Sequence, residues 1–101
     1  MKINEEFLNQ IYAIVDEIPL GKVTTYGEIA KLSGYDKNAR LVGRALSMAG
    51  IYGEYPCHRV VNASGKLVSS WPEQKQMLLS EEITFKANGN VDLKKHLWLG
   101  E

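Results

Sequence analysis

Residues 21–50, GKVTTYGEIAKLSGYDKNARLVGRALSMAG, decide how this chain folds. Within them, Thr25 and Glu28 form the T-x-x-E pattern of a capping box, which predicts the start of a short helix. The helix is expected to run to about Leu32. Ser33 and Gly34 follow directly, and a glycine just past the last turn is the usual signal for a helix end.

A second helix is predicted after this turn, capped by Asp36 or Asn38 and closed by Gly50. Its buried side would be formed by Val42, Ala45 and Leu46. Two short helices joined by a glycine-containing turn, the second one basic, form the helix-turn-helix pattern of DNA-binding domains. On spacing alone, an ordinary helical hairpin fits equally well.

The preceding segment predicts another helix, because its apolar residues recur at helical spacing. Asn4 can cap this helix, and Pro19 and Gly21 end it. The apolar stripe consists of Phe7, Leu8, Ile11, Ile14, Val15 and Ile18.

Residues 51–61 read as non-helical and end in a β-prone segment. A turn at residues 63–65 then leads into a short extended piece at residues 66–68. Pro72 suits the first turn of a further helix, and Asn88-Gly89 predicts a turn in the tail. The apolar contribution of that helix is expected from Met77, Leu78 and Leu79.

The composition predicts one domain, residues 1–101, that is mainly α with a few short strands and winged-helix-like around the helix-turn-helix. Twelve basic and twelve acidic residues cancel, so DNA binding would depend on local clustering of charge. We expect no membrane partner and a cytoplasmic location, because the sequence shows no long apolar run, no signal peptide and a single cysteine.

That cysteine, Cys57, lies in Pro-Cys-His-Arg-Val at residues 56–60. A lone cysteine is often a small core residue, but a thiol beside an imidazole can also be a nucleophile. His58 could act as its base through an ordered water, and Arg59 could be structural or bind phosphate. No metal site or cofactor is expected, since Cys57, His58 and the distant His96 lack metal-ligand spacing.

Three blocks carry a family resemblance: GKVTTYGEIA, NARLVGRAL and YPCHRVVNASGKL, in this order. From about Phe7 to Glu82 the chain resembles the catalytic C-terminal domain of O6-alkylguanine-DNA alkyltransferases, the methylated-DNA–protein-cysteine methyltransferases. It also resembles the related alkyltransferase-like proteins. The resemblance implies a monomeric DNA-repair protein whose partner is double-stranded DNA containing O6-alkylguanine.

The resemblance also implies roles for the helix-turn-helix. Tyr26 would help to rotate the damaged nucleotide out of the duplex, and Arg40 would fill its place in the base stack. Ala39 and Gly43 are small enough to let the second helix approach the minor groove closely. Arg59, which could bind phosphate, is a further predicted DNA contact.

In the family, the pocket cysteine takes the alkyl group from guanine O6 in one irreversible transfer, and Cys57 matches it. His58 matches the water-linked base. A glutamate shortly after a Leu-Leu pair orients that histidine, and Glu82 is the predicted match.

Three departures separate this chain from the active alkyltransferases. Ala49 stands where they usually carry an asparagine that supports the thiol. The pocket loop is replaced by SSWPEQKQ at residues 69–76, which is about two residues shorter by alignment, and the tail NVDLKKHLW looks like that of the alkyltransferase-like proteins. Those relatives bind the lesion without repairing it and recruit nucleotide-excision repair proteins, and their cysteine is normally replaced.

Three hypotheses therefore stand. The first, which the retained Cys57, His58 and Glu82 favour slightly, is a single-turnover methyltransferase. The second is a non-enzymatic lesion sensor that recruits nucleotide-excision repair. The third and most remote is a helix-turn-helix transcription regulator.

Overall fold

The computed structural model describes residues 3–49 and 53–101. The closure of a helix at Gly50 and the conformation of residues 51 and 52 lie outside the described residues. In chain order the elements are α1 (Glu5–Asp16), β1 (Thr24–Thr25), α2 (Tyr26–Leu32), α3 (Ala39–Ser47), a 3-10 turn (Cys57–Arg59), β2 (Val60–Val61), α4 (Glu73–Ser80) and α5 (Leu93–His96). The fold is therefore mainly helical with short strands, as predicted.

The predicted caps begin the first two helices. Asn4 Oδ1 accepts a hydrogen bond from the backbone N–H of Phe7 at 2.8 Å at the start of α1. Thr25 Oγ1 accepts one from Glu28 N–H at 3.1 Å at the start of α2. Each bond satisfies a backbone donor that the first turn of a helix leaves without a partner, so these starts follow from local sequence.

Helices α2 and α3 are joined by the expected glycine turn. Gly34 has a φ of 85°, and its N–H donates to Lys31 O at 3.1 Å. Tyr35 N–H then donates to Ala30 O at 2.8 Å, which brings the chain back towards α3. Val42 and Ala45 of α3 are fully buried, as their spacing predicted.

A short parallel sheet connects this helical part to the rest of the molecule. Strands β1 and β2 pair with Thr24 opposite Val60 and Thr25 opposite Val61. Successive residues of a strand point to opposite faces. Val60 accordingly packs into the core formed by α1, α2 and α3, whereas Val61 packs with Val23 and residues of the C-terminal half. The 3-10 turn that precedes β2 is thus held between two cores.

The C-terminal segment fixes the other side of β1. Leu97 forms a parallel bridge with Val23, and Trp98 N–H donates to Val23 O at 2.7 Å. The buried Thr24 hydroxyl donates to Trp98 O at 2.9 Å. The Trp98 side chain is 5% exposed and belongs to the core of α1, α2 and α3.

Residues 66–68 pair with no strand in the part of the chain that the structure describes, and the Val68 N–H donates to the Gln74 side chain at 2.8 Å. One expectation for the second half needs correction. In α4 only Leu78 of the expected apolar residues is buried, because residues one helical turn apart share a face and its partner is Gln74. Met77 and Leu79 are 38% and 43% exposed.

The turn at Asn88-Gly89 is confirmed: Gly89 has a φ of 88°, and Phe85 and Val91 pair across it. No helix within residues 3–49 and 53–101 combines the length and the apolar character needed to cross a membrane.

Candidate functional site

Cys57 opens the 3-10 turn at the end of a constrained approach. Pro56 precedes Cys57, and the Cys57 N–H donates to Tyr55 O at 2.7 Å. The side chain is half-buried. Burial raises the pKa of the thiol to about 11, against the smaller lowering effect of a backbone hydrogen bond. In this state the thiol is protonated at neutral pH, so the position of Cys57 alone does not activate it.

His58 is buried and paired with a carboxylate. Its Nε2 lies 2.7 Å from Glu81 Oε2. Burial by itself raises the pKa of Glu81, but hydrogen bonds from Arg59 and His58 and their charges lower it overall. An ionised carboxylate only accepts hydrogen bonds. In the neutral imidazole the proton is therefore on Nε2, which leaves Nδ1 as the acceptor that a general base requires.

The carboxylate at His58 belongs to Glu81, which corrects the expectation for Glu82. Helix α4 ends at Ser80, and Glu82 takes a left-handed conformation with a φ of 64°. Glu82 N–H donates to Leu79 O at 3.0 Å and Ile83 N–H to Leu78 O at 3.1 Å. These two bonds form a Schellman motif, which turns Glu82 outward and Ile83 into the core.

Arg59 directs all three of its guanidinium nitrogens into the protein. Its Nε and Nη2 donate to Glu81 at 2.9 and 3.0 Å, and its Nη1 donates to Ile18 O at 2.8 Å. The side chain is 15% exposed. This geometry favours the structural role over the predicted DNA contact, because the planar fork is already occupied by a carboxylate.

Gln74 is a residue of this site that the sequence did not indicate. It is fully buried, and its Nε2 donates to His58 O at 3.1 Å and to Val60 O at 3.2 Å. Together with the bond from Val68 N–H, its carboxamide holds the turn and the following loop together. The available signal was its position one helical turn before Leu78, on the inward face of α4.

Two cavities meet at Cys57, and both are walled by Leu46, Ser47 and Trp71. The inner chamber, of about 260 Å³, is also lined by Tyr26 and Gly43 on the helix-turn-helix side. The outer chamber, of about 800 Å³, is lined by no residue of α2 and by His58, Arg59, Tyr55 and Ala49 among others. Ala49 is 4% exposed. It places a methyl group at the position where the active alkyltransferases usually carry the side-chain amide of an asparagine.

The structure brings some of the DNA-contacting candidates to these chambers and leaves others outside. Tyr26 is half-buried, and a Cβ built on Gly43 would lie 3.9 Å from its ring, so the two residues pack against each other and together line one side of the inner chamber. Burial and, to a lesser extent, the charge of a Cys57 thiolate raise the pKa of Tyr26, so its hydroxyl is a donor. Ala39 and the exposed Arg40 lie instead at the start of α3, beside a separate cavity flanked by Arg44.

Comparison with known proteins identifies similar chains. Residues 6–84 match the family described as 6-O-methylguanine DNA methyltransferase, DNA binding domain. The chain is 42% identical over 97 residues to a "DNA base-flipping protein" of Vibrio parahaemolyticus, with 93% of this chain and 97% of that protein covered.

Solved structures of similar proteins match the fold of this chain. Atl1 of S. pombe, crystallised with damaged DNA containing O6-carboxymethylguanine, aligns with a TM-score of 0.84 and 33% identity over 97% of this chain and 98% of that one. The Mycobacterium tuberculosis OGT in complex with DNA aligns with a TM-score of 0.68 and 34% identity over 79% of this chain and 52% of that one.

Proposed function

Because this chain belongs to the family of the 6-O-methylguanine DNA methyltransferase DNA-binding domain, we propose that it recognises O6-alkylguanine in double-stranded DNA by flipping the damaged nucleotide. The observation that carries the proposal is the pair of chambers at Cys57, of which the inner one is lined by Tyr26 and Gly43 of the helix-turn-helix. A flipped base needs such a pocket next to the element that contacts the duplex. This arrangement favours lesion recognition over transcriptional regulation, which needs no base pocket.

The surface of α3 supports minor-groove binding. Ala39 and Gly43 lie one turn apart on α3 and add little bulk where the helix would approach the DNA, and Arg40 is exposed next to Ala39. A side chain inserted into the base stack replaces part of the stacking that is lost when a nucleotide leaves. Tyr26 lines the inner chamber, and its raised pKa keeps its hydroxyl protonated. It would help to rotate the departing nucleotide out of the duplex.

Recognition without turnover is the form that the state of the thiol supports best. Its raised pKa leaves little thiolate at neutral pH, and the Vibrio and S. pombe relatives are matched over nearly their whole length. The bound lesion would then be passed to nucleotide-excision repair proteins, which are the proposed protein partners.

A second candidate function, alkyl transfer to Cys57, is favoured by the His58–Glu81 pair. His58 Nδ1 would take the thiol proton through a water, and the sulfur would attack the alkyl carbon. A carbon–sulfur bond forms as the bond between that carbon and guanine O6 breaks, and the leaving guanine gains the proton. The products are an S-alkylcysteine and guanine, so each protein molecule acts once.

Binding and mass measurements together test both functions. We expect fluorescently labelled duplex containing O6-methylguanine to bind about tenfold more tightly than the same duplex with guanine, and Arg40→Ala to remove most of that difference. Lys94→Ala, which removes an exposed charge on α5, is the matched control. Equal affinity for both duplexes would refute lesion recognition. A methyl adduct on Cys57 in the intact mass would establish transfer, and its absence after prolonged incubation would leave recognition alone.

A further inference from the structure

We propose that the outer chamber selects O6 substituents by charge, accepting cationic and neutral polar groups and disfavouring anionic ones. The inference rests on the proposed function, because it names the class of lesion that the same pocket would take. The charged residues on which it depends line only the outer chamber, beyond the position where the guanine itself would lie.

The arrangement of the chambers determines which part of a lesion reaches which lining. A base that enters past Tyr26 and Gly43 fills the inner chamber first. Cys57 stands at the junction, and its sulfur marks where the O6 atom and the first carbon of the substituent would lie. Anything attached beyond that carbon therefore extends into the outer chamber.

The charges around the outer chamber are unbalanced. Its acidic lining residues are Asp16, the last residue of α1, and Glu54. Its arginine, Arg59, is already paired with Glu81. Within residues 3–49 and 53–101, neither Asp16 nor Glu54 has a basic partner within 4.0 Å. Since His58 and Arg59 are both paired with Glu81, the carboxylates of Asp16 and Glu54 are the charges of this lining that have no opposite charge beside them among the described residues.

The wall also contains apolar and aromatic side chains. Tyr55 stacks on the buried Tyr12 with ring centroids 4.8 Å apart and an interplanar angle of 20°. Trp71 and Met77 supply further apolar surface. A methylene group next to O6 would contact these side chains, while a polar end group would reach towards the acidic rim. An ammonium would be attracted there and a carboxylate repelled.

Three duplexes that differ only in the end of the O6 substituent test the proposal: 2-aminoethyl, 2-hydroxyethyl and carboxymethyl. We expect affinity to fall in that order, with about tenfold between the first and the last at 50 mM salt, shrinking at 500 mM as the charges are screened. Titrations use the wild type and Cys57→Ser, in which transfer to a thiol is impossible, so that binding is measured separately from any chemistry.

Charge-neutral variants locate the source of the preference. Asp16→Asn combined with Glu54→Gln should bring the three affinities to within about twofold of one another. Glu17→Gln, which removes the neighbouring exposed charge outside the chamber, is the control and should retain the preference. A preference that persists in the double variant, or equal binding of the three lesions by the wild type, would overturn the inference. In either case the 2-hydroxyethyl duplex, compared with undamaged duplex, reports separately on the proposed function.

Discussion

At the scale of single residues, the site is organised around a carboxylate that two side chains share. Glu81 holds His58 through one oxygen, and Arg59 bridges both of its oxygens. For the thiol of Cys57, burial is the main influence on the pKa, and a backbone hydrogen bond offsets it only in part. The base is thus oriented while the nucleophile stays protonated, which separates the ability to hold a lesion from the ability to react with it.

The reactivity of Cys57 should follow its raised pKa. We expect alkylation by iodoacetamide to be slow at pH 7.5 and its rate to rise with pH up to about 11, instead of levelling off near 9 as for an ordinary thiol. Because the chain has one cysteine, the intact mass reports this rate directly. Circular dichroism at each pH checks that the fold persists. A rate that levels off below pH 9 would contradict the burial argument.

Glu81→Gln should destabilise the protein, because a neutral amide cannot balance the partly buried Arg59. We expect a loss of about 2 kcal/mol in the free energy of unfolding at pH 7, measured by urea denaturation. The pKa of Glu81 is lowered in the folded state, so its contribution is present above the unfolded value of about 4.3 and is lost as the pH falls through the folded value.

The difference between wild type and Glu81→Gln should therefore shrink on acidification below about pH 4. Glu82→Gln is the matched control, since Glu82 is exposed and turned away from His58. It should change stability by less than about 0.5 kcal/mol. A larger effect from Glu82→Gln than from Glu81→Gln would reverse the assignment of the carboxylate.

At the scale of elements, α4 acts as a brace for the turn that carries Cys57. Leu78 anchors the helix in the C-terminal core, and Gln74 reaches from the same face to the backbone on both sides of Arg59. The same carboxamide accepts from Val68 N–H, so the loop leading to Trp71 depends on it as well. One buried side chain thereby positions two walls of the chambers.

Gln74→Leu should leave the His58 and Val60 carbonyls and the Val68 N–H without partners. We expect a loss of about 2–3 kcal/mol in the free energy of unfolding, measured by urea denaturation. Gln76→Leu, on the exposed face of the same helix, is the control and should be nearly neutral. If both variants were equally stable, the three hydrogen bonds of Gln74 would contribute nothing to the turn.

At the scale of the whole molecule, contacts between distant parts of the chain complete the fold. The hydroxyl of Thr24 and the carbonyl of Trp98 are 74 positions apart, yet they hydrogen-bond at 2.9 Å. The indole of Trp98 packs with α1, α2 and α3, so the C-terminal segment closes the core under the helix-turn-helix.

Trp98→Ala should remove a large part of that core. We expect a loss of about 4 kcal/mol in the free energy of unfolding, measured by thermal denaturation. Leu99→Ala is the control, because Leu99 is 52% exposed one residue further on. A change of less than about 1 kcal/mol for Trp98→Ala would show that the C-terminal segment is peripheral to the fold.

The features predicted correctly from the sequence are those set by short-range signals. The caps at Asn4 and Thr25, the turn at Gly34 and the apolar stripe of α1 each depend on residues a few positions apart. Predictions were less accurate where a tertiary contact determines the conformation of a segment or the partner of a side chain. No local pattern selects Glu81 over Glu82, since that choice depends on where α4 ends.

The same limit applies to the other differences. Residues 66–68 have strand-like character, but the Val68 N–H donates to the Gln74 side chain and the Lys66 N–H to the Asn62 side chain instead of to a neighbouring strand. Trp98 docks beside β1 through a contact between segments far apart in the sequence. Neither local sequence predicts that the two segments meet.

The placement of the tryptophans has a spectroscopic consequence. The chain has two of them, and they sample different environments: Trp71 lines both chambers, whereas Trp98 is buried in the core. Occupation of the chambers would alter the surroundings of Trp71 and leave those of Trp98 unchanged. Intrinsic emission from the unlabelled protein therefore contains separate signals for site occupancy and for folding.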